Sequence, residues 1–206
     1  MVTYMYASLP SLEEIWAWLD SVSDPEIPIL SVVDLGIVRN VRWTEEGPDF
    51  TTEQTSPREN PTSVIDGRLR RPGTQRTRRS DLTLLVTVTP TYSGCPAMAV
   101  IKNDIQRALL QRGISRVSFE TQLSPAWTTD WMTERGRKRL REYGIAPPEP
   151  HYDKLGLASE ARSTGIPCPR CGSSDTRLVS RFGSTPCKAF YICNSCLEPF
   201  DYFKCH

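Results

Sequence analysis

Histidine is nearly missing: the 206 residues hold two, His151 and His206. That scarcity leaves a nucleophilic cysteine without an obvious base, so covalent hydrolysis by a Cys–His pair is hard to build. No G-x-G-x-x-G or P-loop pattern occurs, and nucleotide chemistry has no visible anchor. Net charge is also lacking, at +1 overall, so the chain as a whole exerts no pull on nucleic acid or a membrane surface. No run approaches the roughly 20 apolar residues that span a bilayer. The opening MVTYMYASLPSLEE has no cationic segment leading into an apolar stretch, so no secretory signal is expected and the expected compartment is the cytoplasm. In that setting seven cysteines read as reduced thiols or metal ligands rather than a disulfide framework.

Hydrophobic content is 38% and mean hydropathy −0.39, enough for a modest core that excludes part of the chain. Residues 10–22 place Ser11 and Glu14 at capping-box spacing ahead of Leu12, Ile15, Trp16 and Leu19, which predicts a short amphipathic helix. IVRNVRW (37–43) reads as a strand. Residues 44–80 have four prolines and few large apolar residues, acidic first and then basic (Arg68, Arg70, Arg71, Arg76, Arg78, Arg79). Such a segment cannot offset its ordering entropy and is predicted to be a flexible loop.

Order returns at 81–90, where Leu82, Leu84, Val86 and Val88 alternate as in a half-buried strand. A helix is predicted from Pro96 to about Arg112, with Met98, Ile101, Ile105 and Leu109 on one stripe and Gly113 closing it. A strand at 115–123 follows, then a cationic helix capped by Thr128 or Thr129 and stopped at Gly144. The expected fold class is α+β, a small helix-on-sheet domain in the order α-β-β-α-β-α. It would span 10–145, with the strands flanking 44–80 paired as a hairpin, a linker at 146–167, and a separate module at 168–206.

That last module holds six of the seven cysteines. Cys168 and Cys171, then Cys193 and Cys196, form two C-x2-C pairs 21 residues apart. Each two-residue gap lets both sulfurs of a turn face one ion, and two such turns complete a tetrahedral S4 site. A structural zinc ribbon is the expected reading; an iron site of the rubredoxin kind uses the same geometry. Cys187, Cys205 and His206 are left over; one could swap into the site or help form a second weak site, but ordinary small buried or terminal residues are the stronger expectation.

Cys95 stands apart, between the strand and the helix that Pro96 opens. Two readings compete: a half-buried filler, or a helix N-cap whose thiolate is favoured by unpaired N–H groups and the helix dipole. A thiolate without a base suits a soft metal, an iron–sulfur cluster or a persulfide better than hydrolysis.

DPEIPILSVVDLGIV (24–38) followed by VTVTPTYSGCPAM (86–98) resembles the iron–sulfur-assembly domain family. SPAWTTDWMTERGRKRLREYGIAPP (124–148) and FGSTPCKAFYICNSCLEPFDYFKC (182–205) are similar to its PaaD-like branch, which carries a C-terminal ribbon. The resemblance implies a maturation factor rather than a catalyst. Its role would be to assemble or deliver the iron–sulfur cluster of the reductase component of a phenylacetyl-CoA epoxidase. By position, Cys95 matches the family's reactive cysteine and Asp24 with Glu26 its D-P-E motif; Cys168, Cys171, Cys193 and Cys196 match the ribbon ligands, with zinc as structural metal. One thiolate cannot hold a cluster alone. Transient binding, a homodimer or a client protein would supply the other ligands, and the expected partners are that reductase and iron–sulfur assembly proteins. The long segment 44–80 departs from the family's short turn. Two other functions fit parts of the chain: a nucleic-acid-binding adaptor, supported by the arginine run alone, and an electron-carrying oxygenase subunit using iron in the ribbon.

Overall fold

The computed structural model describes residues 9–45, 82–148 and 165–204. The 44–80 segment beyond Glu45, most of the 146–167 linker, His151, Cys205 and His206 lie outside the described residues.

Helix α1 spans Leu12–Leu19, and its capping box is formed: the Ser11 side chain accepts from the Glu14 N–H, and the Glu14 carboxylate accepts from the Ser11 N–H. Ile15 and Leu19 point into the core. Strands β1 (Val38–Thr44) and β2 (Thr83–Val88) pair antiparallel, as expected for a hairpin interrupted by a long segment. Helix α2 (Ala97–Gln111) returns the chain so that β3 (Val117–Thr121) lies parallel to β2, giving the order β1-β2-β3. Being central, β2 is covered on both sides: Thr83 and Thr87 are buried as well as Leu84, Val86 and Val88. The half-buried strand expected from the alternation is therefore replaced by a nearly enclosed one. Ile101, Ile105 and Leu109 of α2 close the core against it.

The cationic helix starts later than expected. Thr128 precedes a 3-10 turn at Thr129–Trp131, and α3 runs Glu134–Tyr143 from a Thr133 cap whose side chain accepts from the Gly136 N–H. Two features draw α3 to that position. The Thr133 N–H donates to the Asp34 carbonyl, and the fully buried Asp34 carboxylate accepts from Arg135 and Arg139, both at 2.8 Å. Arg135 also pairs with Asp20. Gly36, at φ +65°, lets the 3-10 turn approach: a Cβ there would lie 2.3 Å from the Trp131 carbonyl oxygen. At the other end Gly144, at φ +91°, stops α3 as expected.

Past Gly144 the boundary drawn from sequence shifts. Ile145–Ala146 form strand β4, which pairs parallel with β7 (Pro199–Phe203) of the ribbon. The ribbon sheet runs β4-β7-β6-β5, with β5 at Thr176–Ser180 and β6 at Lys188–Cys193. The two modules are thus stitched together. Phe203 and Cys187 belong to the first module's core, and Phe203 meets the Trp127 ring edge-on at 6.0 Å. Trp127 in turn donates its indole N–H to the Leu35 carbonyl at 2.9 Å. No helix among the described residues is long and apolar enough to cross a membrane.

Candidate functional site

Two groups of thiols sit at different places in this frame. In the ribbon, the turns Cys168–Cys171 and Cys193–Cys196 face one another. Their four sulfurs all lie within 4.8 Å, with Cys168 and Cys196 at 3.8 Å and Cys171 and Cys193 at 3.6 Å. Four Zn–S bonds of about 2.3 Å in a tetrahedron need sulfur separations of about 3.8 Å, so these residues fit a structural zinc. The Cys196 N–H points at the Cys193 sulfur from 3.5 Å and leads the effects that pull that thiol down to about 7, toward the thiolate a metal needs. Phe200 and Ala146 pack behind Cys168 and Cys193.

The second group lies at the junction. Pro25 has no N–H to give, so the Asp24 carboxylate reaches past it and accepts from the N–H groups of Glu26 and Ile27, at 2.9 and 2.8 Å. That turn buries Asp24 and leaves the Glu26 charge able to act on Cys95, just ahead of α2. Burial raises the Asp24 pKa above the ordinary aspartate value, against the lowering effect of those two hydrogen bonds.

Cys95 is half-buried, but it is not the helix cap. Pro96 takes that position and makes no side-chain cap bond, placing Cys95 one residue before it. The Ala97 and Met98 N–H groups still point at the Cys95 sulfur and favour the thiolate. Burial outweighs them, and the charges of Glu26 and Asp24 add to it, so the thiol is raised above its usual value. The expected lowering by the helix end is thus overturned: the local dipole is present, and the surroundings win.

The structure also gives surroundings to Cys187, expected from the sequence to be an ordinary buried residue, and brings in Tyr92, which the sequence reading did not single out. Cys187, on the connection between β5 and β6, is 5% exposed, with its sulfur 3.6 Å from the Glu26 Oε2 and 3.0 Å from the Thr185 hydroxyl. Burial pushes this thiol up to about 11. Burial leads the effects that raise the Tyr92 hydroxyl above its ordinary value, and the charges of Cys95, Glu26 and Cys187 act on it as well. The one hint in the sequence is arithmetic, an S4 site leaving a ribbon thiol over. Asp24, Glu26, Tyr92, Cys95 and Cys187 therefore share one neighbourhood, and Cys168, Cys171, Cys193 and Cys196 another. Among the described residues, only the second group has three or more ligand atoms drawn within 4.8 Å.

This arrangement has relatives. Residues 12–71 match the family model "Iron-sulfur cluster assembly protein", and residues 155–204 match "PaaD zinc beta ribbon domain". An Escherichia coli (strain K12) protein, named as a putative subunit of 1,2-phenylacetyl-CoA epoxidase, is 44% identical over 196 residues, covering 95% of this chain and 94% of its own. Two solved structures share a looser likeness. One is a domain of unknown function, DUF59, from Bacillus anthracis, with a TM-score of 0.40 and 19% identity over 62% of this chain and 89% of that one. The other, from Mycobacterium tuberculosis, is described as associated with Fe-S complex assembly and repair, with a TM-score of 0.31 and 24% identity over 68% and 93%. On the strength of the extended identity to the Escherichia coli protein and both domain matches, the chain belongs to the PaaD-like family, in which an iron–sulfur cluster assembly domain is joined to a zinc β-ribbon.

Proposed function

We propose that this chain is a maturation factor of a phenylacetyl-CoA epoxidase, helping to assemble or deliver the iron–sulfur cluster of its reductase component. The observation that carries the reading is the placement of Cys95. Its half-buried thiol stands at the start of α2, with the Ala97 and Met98 N–H groups aimed at the sulfur and the carboxylates of Asp24 and Glu26 close by. A soft donor beside carboxylates suits iron, or a cluster edge, as cargo.

The raised proton affinity of Cys95 bears on how cargo is held. A ligating thiol must first lose its proton, so binding at neutral pH is weakened by the work of deprotonation. Weak holding suits a carrier, which must release what it takes up. The ribbon sulfurs are the contrasting case, and zinc there would act as a permanent brace that fixes β5–β7 and the surfaces they present. Zinc, reductase and cargo are this reading's own commitments, supported by the S4 geometry and the likeness to the Escherichia coli epoxidase protein.

The test is co-production of the reductase with the wild-type chain or with Cys95→Ser, followed by iron and sulfide analysis of the purified reductase. A fall in cluster occupancy of about tenfold with the variant is expected. Equal occupancy in the two preparations would overturn the assignment of Cys95.

A further inference from the structure

We infer that the outer strand of the ribbon, β5, docks an extended segment of the client protein in which acidic and apolar residues alternate. This rests on the reading that the chain serves an iron–sulfur client, and it names the surface that receives it.

Strand β5 is the open side of the ribbon sheet. In the order β4-β7-β6-β5 it bonds β6 alone, and its other edge has no strand partner among the described residues. Free N–H and C=O groups on such an edge pair readily with another chain, and proteins normally blunt them. Burial sets β5 apart from its neighbours. None of Thr176–Ser180 is buried, whereas β6 encloses Lys188, Ala189 and Cys193, and β7 encloses Phe200 and Phe203. Leu178 and Val179 are 45% and 46% exposed, and Phe182 just beyond them is 62% exposed. A single apolar residue on a surface needs no explanation. Large ones this close together, on an open edge, leave apolar area that the described chain does not cover.

Charge selects the occupant. Arg177 and Arg181 are exposed on either side of Leu178 and Val179, and the Lys204 Nζ sits 4.4 Å from the centre of the Phe182 ring. The ribbon's described acids are engaged elsewhere. Glu198 pairs with Arg170 at 3.2 Å, Asp201 faces the buried Lys188 at 3.9 Å, and Asp175 accepts from Asn194 at 2.8 Å. The cations beside β5 are thus left for the carboxylates of a partner. An extended partner also uses the edge, where backbone pairing gives affinity and alternate side chains give specificity. The ladder slips between Leu178 and Ser180, so Val179 has no opposite residue on β6. That bulge confines added pairing to Thr176–Leu178 and leaves Val179, Arg181 and Phe182 to grip by side chain. Nucleic acid would use the arginines, but neither the strand edge nor Leu178 and Val179.

The far end of this strip reaches the junction. Lys204 donates its N–H to the Cys187 carbonyl at 2.9 Å, and the Cys187 sulfur lies 3.6 Å from the Glu26 Oε2. A client held along β5 is thereby led toward the loop that carries Asp24 and Glu26.

The experiment follows the fluorescence anisotropy of a labelled peptide of alternating glutamate and valine added to the full chain with its ribbon metal in place. Binding is expected, at least tenfold weaker when Arg177→Glu and Arg181→Glu are combined, with metal content unchanged. A proline placed mid-peptide, which removes an N–H, should weaken it about tenfold as well. Absence of binding, equal binding of a lysine–valine peptide, or unchanged affinity in the double variant overturns the docking. Tighter binding of a single-stranded oligonucleotide than of the peptide makes the strip a nucleic-acid surface and also overturns it. Co-production of the reductase with the double variant should lower its cluster loading several-fold. Undiminished loading overturns client docking at β5 and leaves Cys95 to its own comparison. Equal loading with Cys95→Ser removes the Cys95 assignment and does not bear on the peptide result.

Discussion

Cys193 in the ribbon and Cys187 at the junction are the same side chain under opposite conditions, while the ribbon's own Cys171 and Cys196 are raised. Around Cys193 the nearest influence is a backbone N–H, and the thiol falls to about 7. Around Cys187 it is apolar burial, reinforced by Glu26, and the thiol rises to about 11. Cys95 resembles Cys187 despite the N–H groups aimed at it. The lesson is that a helix end or turn offers a thiolate only what its wider surroundings permit. Sulfurs set 3.6–3.8 Å apart are ready for one ion. Thiols buried near carboxylates keep their protons.

The largest effect expected comes from breaking the ribbon. Cys168→Ser should lose stoichiometric metal, measured by elemental analysis, because metal binding supplies about 10 kcal/mol or more to such small S4 modules. Hydrogen exchange should then show β5–β7 unprotected. The first module should weaken by about 3–5 kcal/mol as it loses Phe203 from its core.

Next is the loop that carries the junction's acids. Asp34→Ala should destabilise the chain by about 1–3 kcal/mol in urea, because the Thr133 hydroxyl and the Ser31 N–H lose a buried acceptor while the half-exposed Arg135 and Arg139 turn to solvent, and the ribbon's metal content should be unchanged. Arg135 holds Asp20 below the ordinary aspartate value of 3.8. Arg135 and Thr133 hold Asp34 below it too, overcoming burial. Lowered folded-state values mean that this stability is present in full above the ordinary value and drains away as pH falls through the lowered ones. Asp34→Ala should therefore flatten the acid limb of the stability profile.

A smaller effect separates burial from charge at the junction. At pH 8 a thiol titrating near 11 is about one part in a thousand thiolate, so Cys187 should alkylate slowly in the wild type. Glu26→Gln removes the charge and leaves the burial, so Cys187 and Cys95 should both react several-fold faster by mass-spectrometric labelling. No change in either rate would break the contrast drawn between the two regions.

The smallest effect falls on Asp24. Its raised folded-state value means it favours folding at low pH and loses that contribution as pH rises through the raised value. Asparagine can accept the same two N–H bonds without the charge. Asp24→Asn should match the wild type near pH 4 and exceed it by at most about 1 kcal/mol at pH 7, measured by thermal unfolding.

Local patterns are legible in the sequence because they are written in neighbouring residues. The capping box sets α1, the apolar stripe sets α2, and two C-x2-C turns set the S4 group. What escapes is settled at a distance. The Cys187–Glu26 contact joins positions 161 residues apart, and no periodicity encodes it. Thr133 prevails over Thr128 as the α3 cap beside a buried Asp34 that a sequence window cannot see. The direction of the Cys95 shift escapes for the same reason: the dipole is local, whereas burial and the approach of Glu26 are tertiary.

The two-residue pairing of Ile145–Ala146 with Asp201–Tyr202 also sets a timetable. A nascent chain finishes α3 and β4 while the strand that completes their neighbourhood is still about sixty residues away, roughly 3–12 s at ordinary rates of synthesis. Through that interval the space destined for Phe203 and Cys187 stands open beside Trp127. Vectorial synthesis thus leaves the older half of the molecule waiting on the younger, and a ribosome stalled in between would present a sticky, unfinished wall to the cell's quality control.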